Sequence, residues 1–348
     1  IIDISKDLKS SGARSNSIII KNNYDNNIIH LLLTDEYFHD YYDEDYEHYG
    51  CRYIDLVYNE NLNKWVLSNK KTLLFDPCIS SLTAVNHRNS KDIWVIGHKS
   101  RSSAFVSVLL SKNGIDNIVT TSTGSFLTGD NLPNTNVYPS PCLSITPDGK
   151  KIALSVPISQ RIQIFNFNNS TGKITNDREI DVTEISDSIT PGKLEFSPNG
   201  NNLFCQMVNY THGTNYDIGI YCFNLTLKGR ELTDSVQYLS GNVSDAHITP
   251  NGEMVLWGRH YELDPYYEYI YFIDNPNDYP RNFKGREIMN DGIRFPNVNM
   301  SYFKIEAKIL ADTNGYCIGE NIELRSEVVS PIDSVGYMWS GPNGFESN

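Results

Sequence analysis

The chain has 348 residues, enough to bury at least one large core, and its length alone suggests two domains. Its 29 basic and 42 acidic side chains leave a net charge of −13, which argues against a nucleic-acid-binding role. No apolar run approaches the roughly 20 residues of a membrane-spanning helix, and the six cysteines form no Cys-x-x-Cys pair of the kind that holds zinc.

Ile1-Ile2-Asp3-Ile4 reads as a strand, the last of a unit whose other strands would precede it. With no signal sequence ahead of it, the chain is expected to be a mature product or a piece of a longer protein. Residues 17–33 read as strand, turn (22–27) and strand. The connection 35–48 holds seven carboxylates and no lysine or arginine, about half of the excess negative charge. Further strands are predicted at 51–58 and 64–74. The same order then returns: 82–95 is a hairpin turning at Arg88-Asn89-Ser90, followed by strands at 104–110 and 117–121.

Three close copies come next. LSITPDGKKIAL (143–154), LEFSPNGNNLFC (194–205) and AHITPNGEMVLW (246–257) each set a Thr/Ser-Pro-Asp/Asn-Gly turn between two short apolar strands. Proline presets the φ of the turn and glycine accepts a positive one. Third strands are predicted at 161–168, 217–225 and 267–274, and fourth strands at 174–182, 231–239 and 283–289. The last apolar residues before the five turns are Ile20, Val85, Ile145, Phe196 and Ile248, spaced 65, 60, 51 and 52 residues apart. The acidic connection stretches the first interval.

A lone four-stranded unit cannot bury both faces, so such units must stack around an axis. The predicted fold is therefore all-β: a β-propeller of four-stranded blades over residues 1–303, with five recognisable repeats and at least one more expected upstream of Ile1. The spacing breaks near Ser301-Tyr302-Phe303. Residues 304–310, 321–327 and 335–339 read as strands of a second unit, ahead of a turn at Gly341-Pro342-Asn343-Gly344. Cys317 followed by Trp339 matches the early cysteine and buried tryptophan of an immunoglobulin-like sandwich, so 304–348 is expected to be the N-terminal part of one.

Several segments resemble the propeller region of large Bacteroidetes surface proteins, the gliding-motility-associated proteins and cargo of the type IX secretion system. They are Leu82-Thr83-Ala84-Val85-Asn86-His87, Asp92-Ile93-Trp94-Val95-Ile96-Gly97-His98, and Phe105 with Leu109-Leu110. Phe165-Asn166-Phe167-Asn168 with Thr171-Gly172 is similar too, as is Ile273-Asp274-Asn275-Pro276-Asn277 leading to Phe295-Pro296-Asn297. Trp339-Ser340-Gly341-Pro342-Asn343-Gly344-Phe345 resembles the PKD-like repeats that follow the propeller in that family. The resemblance implies export, a multidomain parent and a place at the cell surface. It implies no enzyme and supplies no catalytic residue. The expected function is an adhesin or filament component, with propeller loops as the binding surface and the immunoglobulin-like repeats as a stalk. The expected partners are other surface or secretion-machinery proteins, or surface glycans, and no cofactor is called for. A propeller enzyme acting on glycans and a passive structural segment of a secretion cargo are the alternatives.

The binding candidates are Asp35, Glu36, Tyr37, Asp40, Tyr41, Tyr42, Asp43, Glu44, Asp45 and Tyr46. Carboxylates so clustered are the groups that hold Ca²⁺, and interleaved tyrosines stack on sugars or grip a partner. The stretch lacks the glycine turn and ordered spacing of a calcium loop, however. The competing reading is a solvated connection whose charge keeps a sheet edge from pairing. His87 and His98, with Trp94 between them, would need a third ligand to hold a metal, for which Asp92 is the only local candidate, and packed histidines bonded to backbone are commoner. Cys205 and Cys222 are predicted to face each other on consecutive strands as a cross-strand disulfide, with Cys51 and Cys78 a weaker pair. Nothing resembles a nucleophile elbow, a P-loop or a dinucleotide fingerprint.

Overall fold

A computed structural model describes residues 15–35, 50–67, 72–127, 140–212, 215–241, 243–249, 252–260, 267–273, 275–278, 285–290, 306–311, 324–329, 339–341 and 345–347. The first sheet comprises β1 (Ser15–Lys21), β2 (Ile28–Asp35), β3 (Cys51–Asn59), β4 (Lys64–Leu67) and β5 (Thr72–Phe75). The second holds β6 (Cys78–Asn86), β7 (Ile93–Lys99), β8 (Ser102–Ser111) and β9 (Gly114–Leu127). The third holds β10 (Leu143–Ile145), β11 (Lys151–Val156), β12 (Arg161–Asn168) and β13 (Lys173–Asp181). The fourth holds β14 (Ile189–Phe196), β15 (Asn202–His212), β16 (Asn215–Asn224) and β17 (Gln237–Gly241), with a short helix α1 (Gly229–Asp234) before its last strand. The fifth holds β18 (Val243–Ile248), β19 (Met254–His260), β20 (Tyr267–Ile273) and β21 (Gly285–Asn290). Within each sheet, successive strands pair antiparallel in chain order, except that β5 of the first sheet returns to pair with β3.

The first hairpin of each sheet turns where the repeat motif stands. Gly149 donates to the Thr146 carbonyl at 2.8 Å and Gly200 to Ser197 at 2.8 Å, with φ of 65° and 70°. The side chain at the head of the turn locks it: Thr146 Oγ1 donates to Asp148 Oδ1 (2.7 Å) and Ser197 Oγ to Asn199 Oδ1 (2.8 Å). The recurrence of Asp148 and Asn199 is thus a turn requirement. The second sheet makes the same turn with neither proline nor glycine, Ser90 bonding back to His87 at 2.8 Å with φ of 61°.

The second, third and fourth sheets are apolar on both faces, and the apolar cores lie between sheets. Ile18, Leu32 and Tyr53 of the first sheet pack with Val95 and Val106 of the second. Trp94 and Phe105, one position over, point the other way, onto Ile152 and Phe165 of the third. Ala153 and Ile162 meet Phe196 and Leu203 of the fourth, whose neighbouring Phe204 and Cys222 meet Ile248 and Leu256 of the fifth. Strands of period two bury alternate residues on opposite neighbours, which is why these segments read as nearly continuous apolar runs. The first strands of consecutive sheets, β1, β6, β10, β14 and β18, pack side by side in that order. Five four-stranded sheets stacked face to face, with their first strands innermost, form the expected β-propeller arrangement.

The structure corrects several boundaries. Residues 64–74 are two strands, with β4 pairing one end of β3 (Asn59↔Lys64) and β5 the other (Cys51↔Phe75). Residues 231–239 begin as helix α1, which drops Leu232 into the core between the third and fourth sheets, and only Gln237 onward pairs with β16. The strand at 117–121 is the middle of the longer β9. Beyond the propeller, β22 (Glu306–Ala311) pairs with β23 (Leu324–Val329), and β24 (Trp339–Gly341) with β25 (Phe345–Ser347), as two antiparallel hairpins. The expected strand at Ile1 to Ile4, and with it the upstream blade, lies outside the described residues, as does Cys317.

Candidate functional site

In a four-stranded meander the connections 1–2 and 3–4 emerge at one end, and the connections 2–3 and 4–1 at the other. The stacked sheets therefore present two rims. The rim of the 1–2 turns is fastened by hydrogen bonds from sheet to sheet. Tyr24 Oη donates to Asp92 Oδ1 (2.6 Å) and Asn23 Nδ2 to the Lys91 carbonyl (2.9 Å). Asn169 Nδ2 donates to the Asn86 carbonyl (2.9 Å), while Trp94 Nε1 donates to the Asn169 carbonyl (2.8 Å). Arg178 donates to the carbonyls of Leu225 (2.6 Å) and Leu227 (2.8 Å), and Asn202 Nδ2 to those of Pro276 and Asn277 (3.0 Å each). In the last three cases the 3–4 turn of one sheet is tied to the sheet before it.

The opposite rim carries connections 36–50 and 128–142. Asp35, the last residue of β2, sits at this rim, and the chain re-enters the sheet at Cys51. Glu36, Tyr37, Asp40, Tyr41, Tyr42, Asp43, Glu44, Asp45 and Tyr46 lie outside the described residues. They do belong to the 2–3 connection of the first sheet, as expected.

A groove opens on the rim of the 1–2 turns, over the third sheet. Its volume is about 730 Å³, and it is lined by Arg88, Asp148, Lys150, Lys173, Thr175 and Asn166 to Asn169. Asn168 faces Lys173 across the β12–β13 hairpin and Asn166 faces Thr175, so four polar side chains share one exposed face. Phe167 and Ile174 on the other face enter the core. Lys150 pairs with Asp148 at 3.0 Å, with both side chains more than half exposed. Arg88 and Lys173 have no ion-pair partner among the described residues.

The other residues singled out by sequence are not brought together. His87 stands at the turn of the β6–β7 hairpin and His98 near its far end. Asp92 is taken up by Tyr24 and by Asn89 Nδ2 (2.6 Å). No group of metal-binding side chains forms among the described residues.

Cys205 and Cys222 are free thiols, and the predicted disulfide is absent. The register explains why: Cys205 pairs with Tyr221 and Cys222 with Phe204, a one-residue offset that sends the two thiols to opposite faces. Burial pushes both thiols well up from the usual range. Cys51 and Cys78 are also free and lie in one core, where burial, with Cys78 adding to it, raises the Cys51 thiol. In native protein these four thiols are expected to resist iodoacetamide and to react fully in guanidinium, read by mass spectrometry. Native labelling of Cys205 or Cys222 would contradict the burial.

One cluster had no sequence signal beyond a strand register. His30 and Asp55 are cross-strand partners, with Nδ1 2.7 Å from Oδ1, and the Tyr53 hydroxyl lies 3.0 Å from the same nitrogen. Burial first, and then the Asp55 carboxylate, raises the Tyr53 phenol. His30 and Tyr53 are closed to solvent, so the trio braces the first sheet from within.

These features define a class: a β-propeller whose sheets are tied to one another at both rims, with its long connections 36–50 and 128–142 on the rim opposite the 1–2 turns. No family model and no curated protein matches the chain. Among solved structures it is similar to two proteins provisionally assigned as 6-phosphogluconolactonases. The one from Bacteroides fragilis is 15% identical with a TM-score of 0.47, covering 86% of this chain and 79% of that one. The one from Bacteroides uniformis is 16% identical with a TM-score of 0.44, covering 83% and 74%. An α-L-arabinofuranosidase from Clostridium thermocellum is 10% identical with a TM-score of 0.40, covering 79% and 95%. No helix among the described residues is long and apolar enough to cross a membrane.

Proposed function

We propose that the chain is the ligand-presenting part of an exported cell-surface protein, a non-catalytic adhesin or filament component of the gliding or type IX secretion kind. The propeller is a rigid frame, the connection 35–48 grips another surface protein or a surface glycan, and residues 304–348 begin an immunoglobulin-like stalk. The observation that carries this reading is the place of the acidic, tyrosine-rich connection. It joins β2 to β3 on the rim opposite the 1–2 turns, and long connections on a rigid frame are where binding residues concentrate.

Replacing residues 36–48 by a short Gly-Ser link tests the proposal. Attachment of beads bearing the protein to cells of its own kind is expected to fall about tenfold, a loss of ~1.4 kcal/mol. The thermal melt should stay within a degree or two, because every described core residue is kept. Unchanged attachment would leave the chain a passive structural segment.

A further inference from the structure

We propose that the groove over the third sheet is a second binding site, on the rim opposite the acidic connection, for an acidic oligosaccharide bearing uronate groups. Three cations from three different turns, Arg88, Lys150 and Lys173, converge on it against the single carboxylate of Asp148. That local excess of positive charge stands out on a chain whose net charge is −13. Arg88 and Lys173 are exposed and unpaired among the described residues, and the Lys150–Asp148 pair is exposed enough to exchange for a ligand carboxylate. The cations call for an anion.

The neutral groups call for hydroxyls. Asn168 Oδ1 accepts from the backbone N–H of Ser170 (3.1 Å) and Thr171 (3.2 Å), which leaves its NH₂ to donate into the groove. Asn169 spends its NH₂ on the Asn86 carbonyl, and its buried Oδ1 has no hydrogen-bond partner among the described residues. Thr175 adds a hydroxyl beside them. A ligand that offers carboxylates to the cations and hydroxyls to the amides is an acidic sugar. The volume of about 730 Å³ lies within the range of small-ligand sites.

The test is titration calorimetry on the whole chain with trigalacturonate, maltotriose, sodium sulfate and hexaglutamate, repeated on an Arg88→Gln/Lys173→Gln double variant. A Lys21→Gln/Lys64→Gln double variant, which removes two exposed lysines of the first sheet, controls for net charge. Trigalacturonate is expected to bind, to weaken as salt rises, and to lose about tenfold in affinity in the double variant but not in the control. Equal binding by the double variant, or no binding of trigalacturonate, would overturn the site. Sulfate binding as tightly would reduce it to a simple anion site. Hexaglutamate or maltotriose binding as tightly would overturn the assignment to acidic sugars. None of these outcomes depends on the role proposed for the opposite rim.

Discussion

Trp94→Ala is expected to lower the stability of the propeller by about 4 kcal/mol, the middle of the range for emptying a buried aromatic site. The indole is 1% exposed and ties the second sheet to the third twice. Its ring meets Phe167 edge-on with centroids 6.2 Å apart, and its Nε1 donates to the Asn169 carbonyl at 2.8 Å. Truncation therefore opens a cavity and strands a carbonyl. Trp94→Phe keeps most of the packing and loses the donor, so it should cost ~1–2 kcal/mol. Urea denaturation followed by circular dichroism separates the two.

Gly172 supplies the decisive partner for that experiment. It holds φ at 71°, and a Cβ built there would stand 2.6 Å from Trp94 Cη2 and 2.8 Å from Cζ3. Gly172→Ala thus carries about 1 kcal/mol of left-handed backbone cost and a further ~1–3 kcal/mol of overpacking. In a Trp94→Ala background the second part disappears, because the ring it strikes is gone. The double variant should be more stable than the sum of the single ones predicts by ~1–3 kcal/mol. Simple additivity would mean that the turn and the indole do not touch.

The local features of the fold were legible because each lies within one stretch of chain. Thr146-Pro147-Asp148-Gly149 specifies its own turn, and the apolar flanks specify the strands on either side. The sheet order followed from the period alone. Features that need two distant segments were not legible. Cys205 and Cys222 looked like a pair because both strands were correct, yet a one-residue difference in register decides which face a thiol takes. The start of the fourth strand in the fourth sheet was misread because Gly-Arg-Glu-Leu-Thr-Asp has one apolar residue, Leu232, and so carries neither period.

The groove was hidden for the same reason. Arg88 comes from the degenerate hairpin, Lys150 from the β10–β11 turn of the third sheet and Lys173 from its β12–β13 turn, and only stacking brings them together. The acidic connection, by contrast, announces itself through local composition. Short-range chemistry was therefore visible in the sequence, and long-range convergence was not.

The second large effect is a dependence on pH. His98 is fully buried, with its ring standing edge-on against Phe105 at 4.6 Å. Its Nδ1 donates to the Lys99 carbonyl at 2.7 Å, which fixes the tautomer and leaves Nε2 as a bare acceptor with no partner among the described residues. Burial lowers its pKa from 6.5 to about 4, against a smaller upward pull from the Lys99 carbonyl. The folded chain therefore keeps His98 neutral at a pH where the unfolded chain has already taken up the proton.

The stability that this contributes is fully present above about pH 6.5 and is lost as the pH falls through about 4, for a total near 3 kcal/mol. Asp177 and Asp181 act lower down. Burial pulls each of them up, but the Lys151 bond on Asp177, and the Thr183 bonds with Arg161 on Asp181, hold both below 3.8, so their contributions fade beneath that value. His98→Phe should flatten the wild-type slope between pH 6.5 and 4 and leave the steeper fall at lower pH in place. Nuclear magnetic resonance titration of the His98 ring gives an independent reading. A midpoint near 6.5 in the folded protein would show that the ring is not sealed between the second and third sheets.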